Sequence, residues 1–150
     1  MKKYYYNSPV GTLEITYQNE ALTSLNVIEN TKDANTKTPL TGKIKTQLDE
    51  YFSGKRKSFN IEINPQGTKF QKAVWEELLK IPYGETRSYS EIAERVGKHN
   101  AQRAVGSACN KNPILVLIPC HRVISKKGNL AGYACGLDIK RELLKIENIK

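Results

Sequence analysis

The residues best suited to chemistry follow a short apolar run near the C-terminal end of the chain. Residues 114–118 are all apolar, Pro119 ends the run, and Cys120, His121 and Arg122 come next. A short apolar run between turn-forming residues is typical of buried chain. The thiol should therefore sit at the end of a buried element, in a setting where its pKa can be lowered and the nucleophilic thiolate formed.

Cys120 has a simpler interpretation, because a free cysteine is most often a small buried apolar side chain. The adjacent His121 does not decide between the two, since neighbours on an extended chain point to opposite sides. Glu147 lies in the last turn of the predicted C-terminal helix, where the helix dipole disfavours an anion. We expect this carboxylate to have a partner, with His121 as the candidate. A solvated terminal carboxylate is the alternative.

Two short helices are predicted ahead of this stretch. Ser88 and Glu91 form a capping box that opens the first helix, and Gly97 ends it. Tyr89, in the first turn, either projects from the helix end or packs its ring into the core. Asn100 is predicted to cap the second helix. The inner face of that helix, at helical spacing, comprises Ala101, Ala104, Val105 and Ala108.

The outer face of the second helix is small and polar, with a single long cation. Its members are Arg103, Gly106, Ser107 and Asn110. Two short helices joined by a glycine-containing turn are typical of a helix-turn-helix, and nothing bulky would hold this face away from DNA. The alternative is an ordinary solvated helix surface. Residues 65–150 have fifteen Lys and Arg against eight Asp and Glu, whereas residues 1–64 have nine against seven. The C-terminal part is therefore better suited to a polyanion.

The N-terminal part has the pattern of a small α/β scaffold. Residues 3–28 alternate apolar and polar side chains between turn clusters, which predicts a strand meander. A helical face that ends at Gly54 comprises Leu40, Ile44, Leu48 and Tyr51. Apolar residues alternate again over residues 59–63, which predicts another strand. This part contains no cluster of nucleophile, base or metal ligand, so we expect it to serve as a scaffold.

Composition narrows the class of protein. The chain has 150 residues, of which 39% are hydrophobic, enough for one domain or two small ones. Turn formers at residues 64–67 predict a boundary between domains of residues 1–63 and 64–150. No segment approaches the ~18 consecutive apolar residues of a membrane span, and no secretion signal is present. We therefore expect a soluble cytoplasmic protein. The cysteines, too few and too widely spaced for a disulfide framework or a zinc site, are Cys109, Cys120 and Cys135.

Taken together, these segments resemble the O6-alkylguanine-DNA alkyltransferases, also called methylated-DNA–protein-cysteine methyltransferases. The resemblance covers about residues 65–150 and is weaker over residues 1–63. The motifs that carry it are Ser88-Tyr89, Arg103-Ala104-Val105-Gly106, Asn112-Pro113, Ile118–Val123, Gly132-Tyr133, Gly136-Leu137 and Glu147. The resemblance implies an α+β fold of two small domains. The first is an antiparallel-sheet α/β domain that is ribonuclease-H-like, and the second is helical, with a winged-helix-like helix-turn-helix.

The resemblance implies that a monomer binds the minor groove of double-stranded DNA and flips out an O6-alkylguanine. Flipping is required because the O6 substituent is otherwise out of a protein nucleophile's reach. Arg103 would fill the gap left by the base. Tyr89 would help to rotate the phosphate and protonate N3 of the departing guanine. The further implied DNA contacts are Ser88, Ala104, Gly106 and Ser107.

The resemblance also implies that Cys120 attacks the alkyl carbon, while His121, held by Glu147, takes the thiol proton through a water. Asn112 would hold the turn around the site by backbone hydrogen bonds, and Arg122 would be structural. The substrates would be mainly O6-methylguanine and also O4-methylthymine. The product would be a thioether on Cys120, so each molecule would act once, with no cofactor and no metal.

The implied substrate pocket comprises Pro119, Val123, Tyr133, Ala134 and Cys135. Its last three members lie in a loop of small residues that would close over the base. Ala134 stands where some relatives have a serine that can bind the guanine O6, and Cys135 stands where glycine is common. We expect the Cys135 side chain to narrow the pocket against bulky O6 groups. Some relatives carry a structural zinc in the N-terminal domain, but no cysteine precedes Cys109 here, so we expect none.

Three other functions fit parts of the pattern. A non-catalytic lesion-binding protein would keep the helix-turn-helix and the pocket but would lack the cysteine. A helix-turn-helix regulator would leave the set of Cys120, His121 and Glu147 unexplained. A cysteine hydrolase would need an oxyanion hole and would give Arg103 no role. Single-turnover alkyl transfer gives a role to Arg103 and to the set of Cys120, His121 and Glu147.

Overall fold

The computed structural model describes residues 2–29, 35, 37–125 and 136–148. Its elements, in chain order, are β1 (Lys2–Ser8), β2 (Gly11–Gln18), β3 (Ala21–Ile28), α1 (Pro39–Phe52), α2 (Lys69–Leu79), β4 (Arg87–Ser88), α3 (Tyr89–Arg95), α4 (Gln102–Asn110), a 3₁₀ helix (Cys120–Arg122), β5 (Val123–Ile124) and α5 (Leu137–Ile146). The predicted α+β class, with an antiparallel N-terminal sheet and a helical C-terminal part, is confirmed. No helix within the described ranges has both the length and the hydropathy that a membrane crossing needs.

The strands β1, β2 and β3 form the predicted antiparallel meander, with β2 in the centre. Asn19 and Glu20 form the two-residue turn between β2 and β3, with φ of 53° and 65°. Positive φ at both positions suits the twist of a tight hairpin. On β2 the predicted inner residues Leu13, Ile15 and Tyr17 are buried, but the neighbouring Thr12 and Thr16 are buried as well, so burial along this strand does not follow the predicted alternation. The predicted inner face of α1 is also buried.

The segment 59–63 is not the strand that its alternation predicts. It makes a single parallel bridge, between Ile63 and Leu22 of β3. The rest of the β3 edge is taken by the C-terminal part, because Leu25 pairs with Ile114. Two segments therefore share one strand edge, and neither extends along it.

The bridge at Leu25 joins the two parts of the chain. Leu25 N donates to Pro113 O (2.8 Å), and Leu115 N donates to Leu25 O (3.1 Å). Buried apolar side chains from both parts belong to one continuous cluster. The N-terminal sheet is thus fixed to the segment that leads into Cys120.

The helices α3 and α4 are the pair that the helix-turn-helix pattern predicts. The capping box is confirmed, because Glu91 N donates to Ser88 Oγ (3.1 Å) and Ser88 N donates to Glu91 Oε1 (2.9 Å). Gly97 follows α3 with φ of 75°, the left-handed conformation in which glycine commonly ends a helix. Trp75 of α2 donates from Nε1 to Ala108 O at 2.9 Å, which holds α4 against α2.

Two details of α4 differ from the prediction. Asn100 does not cap the helix, because the cap position is Ala101, which makes no side-chain cap hydrogen bond. Asn100 instead has φ of 66° in the connecting turn, a conformation that asparagine tolerates better than most residues. Ala104 is exposed rather than inward, because the inner face is rotated from its predicted position. The buried residues of α4 are Val105, Ala108 and Cys109.

A two-residue parallel pair connects these helices to the candidate nucleophile. The strand β4 pairs with β5, with Arg87 opposite Val123. Tyr89 follows β4 directly, and Cys120 opens the 3₁₀ helix that leads into β5. The pair therefore places the start of α3 beside the turn that carries the thiol.

Candidate active site

Asn112 organises the turn that carries the thiol. Its Nδ2 donates to Ile118 O (2.8 Å) and to Cys120 Sγ (3.2 Å), and its Oδ1 accepts from Ile114 N (2.9 Å). The apolar run inside the turn is buried, as predicted. Val116 within it has φ of 72°, which is strained for a β-branched residue. One buried amide thus fixes both ends of a strained turn and the position of the sulfur.

Cys120, His121 and Arg122 form a 3₁₀ helix rather than extended chain. Successive side chains in such a helix are about 120° apart, so the three functional groups point in three directions. All three residues are buried. The turn is closed by the amide of Arg122, which donates to Pro119 O at 3.0 Å. This geometry lets neighbours in sequence serve different purposes.

Glu147 lies at the C-terminal end of α5 and is buried. The expected contact with His121 is present, at 2.6 Å between Nε2 and Glu147 Oε2. Arg122 donates from Nε to Oε1 (2.7 Å) and from Nη2 to Oε2 (3.1 Å). Tyr51 Oη donates to Oε2 at 2.6 Å, and Gly84 N donates to Oε1 at 3.3 Å. Arg122 is therefore structural in a specific sense, because it anchors the carboxylate that contacts the imidazole.

At neutral pH the carboxylate is ionised and the imidazole is neutral. Burial raises the pKa of Glu147, but the hydrogen bonds that it accepts, first from His121 and then from Arg122, outweigh burial and lower that pKa to about 2. Burial also dominates at His121 and lowers its pKa below the ordinary 6.5, although the contact with Glu147 acts in the opposite direction. The pair is therefore a neutral donor bound to an anion.

The contact with Glu147 fixes the tautomer of His121. An ionised carboxylate only accepts hydrogen bonds, so Nε2 carries the ring proton and donates it to Oε2. Nδ1 then has the lone pair, and it is buried without a hydrogen-bond partner among the residues that the structure describes. A basic nitrogen on the residue next to Cys120 is suited to general-base work.

Tyr89 is half-buried at the start of α3. Burial first, and then the nearby Cys109 and Cys120, raise the pKa of this tyrosine to about 12. The phenol is therefore protonated at neutral pH and able to donate. Its ring borders α4, because a Cβ added to Gly106 would lie 3.8 Å from Tyr89 Cε1. Tyr89 thus lies between the thiol and the outer face of α4.

Lys140 is not among the site residues predicted from the sequence. Its side chain is fully buried, its Nζ donates to Val123 O (2.7 Å), and Nζ lies 6.0 Å from the centre of the Tyr89 ring. Burial lowers the pKa of Lys140, and the nearby Cys120 opposes that lowering. A buried ammonium therefore stands close to both the thiol and the phenol.

A signal for Lys140 was present in the spacing of α5. The buried face of that helix and its cap runs through Lys140, Leu143, Leu144 and Glu147. Charged residues at both ends of an apolar stripe indicate buried charge. Ile139 and Ile146 of the same helix are apolar but only half-buried. Tyr51 had no such signal, because an aromatic residue on the apolar face of α1 needs no further explanation.

The residues predicted to contact DNA lie together on α3 and α4. Arg103, Ala104 and Ser107 are exposed, whereas Gly106 and Ser88 are half-buried. Because Gly106 borders Tyr89, this surface is continuous with the tyrosine at the start of α3. Among the described residues, no group of three or more His, Cys, Asp or Glu side chains is placed to hold a metal ion.

The predicted substrate pocket is only partly within the described ranges. Val123 and Pro119 are buried. Pro119 lines a cleft of about 260 Å³ between residues 57–63 and 79–83, and Cys120 does not line that cleft. The remaining predicted members, Tyr133, Ala134 and Cys135, lie outside the described residues, so the pocket and the effect of Cys135 on its width stay predictions.

Both parts of the chain match models of one protein family. Residues 69–149 match the model described as 6-O-methylguanine DNA methyltransferase, DNA binding domain. Residues 1–65 match the model described as 6-O-methylguanine DNA methyltransferase, ribonuclease-like domain. The chain belongs to the 6-O-methylguanine DNA methyltransferase family. The resemblance seen in the sequence motifs of this methyltransferase is thereby confirmed.

Individual relatives agree with this assignment. The methyltransferase is 45% identical over 148 residues to the methylated-DNA–protein-cysteine methyltransferase of Methanosarcina acetivorans, with 95% of each chain covered. It is 61% identical over 101 residues to that of Methanosarcina barkeri, which is 67% of this chain and 64% of the relative. The crystal structure of Mycobacterium tuberculosis O6-methylguanine methyltransferase superposes with a TM-score of 0.87 at 42% identity, covering 97% of this chain and 91% of that one.

Acid should destabilise the methyltransferase through its buried His121–Glu147 pair. Below pH 6.5 the unfolded chain protonates His121 more readily than the folded protein does, because burial lowers the folded pKa. The unfolded state then binds more protons, so the free energy of unfolding falls as pH falls. Glu147 adds a second loss below pH 4.5, extending towards its folded pKa of about 2. Urea denaturation between about pH 8 and pH 5 measures the first loss.

The matched variants for this measurement are His121→Gln and His99→Gln. His121→Gln should remove most of the loss between about pH 6.5 and pH 5, since the titrating group is gone. His99 is exposed, and His99→Gln should leave the loss in place. Equal pH slopes in the wild type and in His121→Gln would contradict the assignment of a buried neutral imidazole.

Proposed function

We propose that this methyltransferase repairs duplex DNA by moving the alkyl group from O6 of guanine onto Cys120, and that each molecule does so once. The contacts behind the thiol support this most directly. Asn112 Nδ2 donates to Cys120 Sγ, and His121 Nε2 donates to Glu147 Oε2, which leaves Nδ1 as a buried base. A solved structure of Mycobacterium tuberculosis OGT in complex with DNA, 44% identical to this chain over 95% of its length, supports DNA as the partner.

The outer face of α3 and α4 supports an approach to double-stranded DNA by a monomer from the minor groove. Gly106 and Ser107 allow the backbone of α4 to come close, and the Tyr89 ring at the start of α3 borders Gly106. A stacked guanine keeps its O6 group away from a buried sulfur, so the nucleotide has to rotate out of the duplex. Arg103, exposed one helical turn before Gly106, fills the space that the base leaves. Ala104 and Ser88 contact the DNA alongside it.

Proton transfer and alkyl transfer are then divided among four residues. The proton of the Cys120 thiol passes through a water to His121 Nδ1, and Glu147 stabilises the imidazolium that forms. The thiolate attacks the alkyl carbon in line with the bond to O6, so the C–S bond forms as the C–O bond breaks. The electron pair of the broken bond stays with guanine, and Tyr89 donates its proton to N3. The His121 imidazolium then returns a proton to the Tyr89 phenolate. Overall, one proton has moved from the Cys120 thiol to guanine.

The product explains why a molecule acts only once. S-alkylated Cys120 is a thioether, which has neither an acidic proton nor a good leaving group, so His121 and water do not reverse the transfer. The reaction needs no cofactor, because the nucleophile, the base and the acid are all side chains. O6-methylguanine is the main substrate. O4-methylthymine has its methyl group on a comparable exocyclic oxygen and is the second.

The transfer itself is tested by weighing the intact protein after incubation with duplex DNA containing O6-methylguanine. We expect a stoichiometric gain of one methyl group, located on Cys120 by peptide mapping. Cys120→Ser should show no gain. Cys109→Ser is the matched control, because Cys109 is another buried cysteine outside any disulfide, and it should gain the methyl group as the wild type does. A methyl group on another residue, or several transfers per molecule, would refute the proposed function.

The role of Arg103 is tested by comparing two substrates. Arg103→Ala should slow methyl transfer from duplex DNA by roughly tenfold to a hundredfold, the size of a lost contribution of a few kcal/mol to base flipping. Its reaction with the free base O6-methylguanine, which needs no flipping and has no bulky O6 group, should be unchanged. Arg141→Ala removes the same charge from an exposed position on α5 and should react normally with both. Equal slowing of both substrates by Arg103→Ala would mean that Arg103 acts on the site rather than on the duplex.

A further inference from the structure

Tyr51 brings the N-terminal part of the chain into the active site. It belongs to the buried face of α1, and its side chain is inaccessible to solvent. Its Oη donates to Glu147 Oε2 at 2.6 Å, and the same oxygen binds His121 Nε2 at 2.6 Å. The oxygen that orients the imidazole is therefore shared with a hydroxyl from a helix that the sequence patterns assign to the scaffold.

Packing determines where this hydroxyl points. The centre of the Tyr51 ring lies 5.2 Å from that of Phe52, 5.3 Å from that of Phe59 and 6.3 Å from that of Tyr83. Burial first, and then Glu147, raise the pKa of Tyr51 far above its ordinary range. The hydroxyl is consequently a fixed donor throughout the pH range of interest, and a phenyl ring in its place would keep the same neighbours.

We propose that Tyr51 is a positioning residue for alkyl transfer, because its hydroxyl holds Oε2 of Glu147 and limits how strongly that oxygen attracts the ring proton of His121. This inference rests on the function proposed above, with the imidazole as the base. While the hydroxyl shares Oε2, the imidazole remains neutral and can accept the thiol proton. Without the hydroxyl, Oε2 carries more negative charge and stabilises the imidazolium more strongly. The base would then be occupied by a proton at a higher pH.

Removing the Tyr51 hydroxyl leaves the other groups around His121 and Glu147 in place. Within the part of the chain that the structure describes, the further charged or titratable groups that face the His121–Glu147 pair are Arg122, Lys140 and Tyr83. Arg122 binds both carboxylate oxygens and keeps Glu147 ionised with or without the hydroxyl. Tyr51→Phe therefore isolates a single hydrogen bond.

Tyr51→Phe should move the acid limb of methyl transfer to higher pH. The wild-type limb lies below pH 6.5, because the pKa of His121 is lowered from that value. A change the size of one ordinary hydrogen bond corresponds to a shift of about half to one pH unit. On the acid side the rate should fall about three- to tenfold, and it should recover at alkaline pH, where the imidazole is neutral in both proteins. Single-turnover rates on duplex DNA containing O6-methylguanine, with protein in excess, give the profile.

Tyr6 provides a matched control. It is another largely buried tyrosine of the N-terminal part, and its Oη donates to a carboxylate oxygen of Asp49 at 2.6 Å. Tyr6→Phe removes the same kind of hydrogen bond to α1 but leaves Glu147 untouched. We expect its pH profile to coincide with that of the wild type. Thermal unfolding of both variants separates a loss of stability from a change in the protonation of His121.

The ionisation of His121 can also be followed by NMR without any reaction. The chain has two histidines, and exposed His99 serves as the internal reference. Tyr51→Phe should raise the pKa of His121 by the same half to one unit, roughly. An unchanged His121 titration, or a rate loss equal at every pH, would overturn the positioning role and leave Tyr51 as a packing residue. Failure of the wild type to methylate Cys120 would refute the proposed function instead, and the titration would still decide the role of Tyr51.

Discussion

The buried carboxylate of Glu147 is the interaction on which both parts of the structure depend. Burying such an ion costs on the order of several kcal/mol, so it is tolerated only when it is paired and fully hydrogen-bonded. The donors come from α1, from the turn after α2 and from the 3₁₀ helix. Its position at the C-terminal end of α5 adds to the cost, because the helix dipole is negative there, and the guanidinium of Arg122 offsets it. Folding therefore requires four regions of the chain to meet at the candidate active site.

The same carboxylate decides where the protons are. It binds the Nε2 proton of His121, and this leaves the lone pair on Nδ1 as the proposed base. The thiol is placed separately, by the amide of Asn112. The turn that Asn112 closes is itself bonded to the N-terminal sheet through the backbone of Leu25. The ribonuclease-like part is thus connected to the site by a backbone bridge and by the Tyr51 hydroxyl. The prediction that this part is only a scaffold is therefore incomplete.

Local patterns in the sequence indicated most of the side chains that meet at the candidate active site and most of the elements that position them. The capping box at Ser88 and the buried run before Cys120 depend only on neighbours in sequence, and both are present. The prediction that Asn100 caps α4 was wrong, because the helix begins one residue later, with Ala101 at the cap position. Where a helix begins is set by tertiary packing, which local sequence does not show. Tyr51 could not be recognised, since its partner lies 96 positions away and its ring fits an apolar face. Lys140 has a signal only in the spacing of α5, where it shares a face with Leu143, Leu144 and Glu147.

The most direct test of the account is the tautomer and charge of His121 at neutral pH, measured from the ¹⁵N chemical shifts and couplings of the imidazole nitrogens in the unreacted protein. The account predicts a neutral ring with its proton on Nε2 and a bare Nδ1, in slow exchange with solvent because the ring is buried. A ring protonated on Nδ1 alone, or an imidazolium in the resting protein, would contradict it, because neither form has a free nitrogen with which to deprotonate Cys120 while Glu147 holds the other.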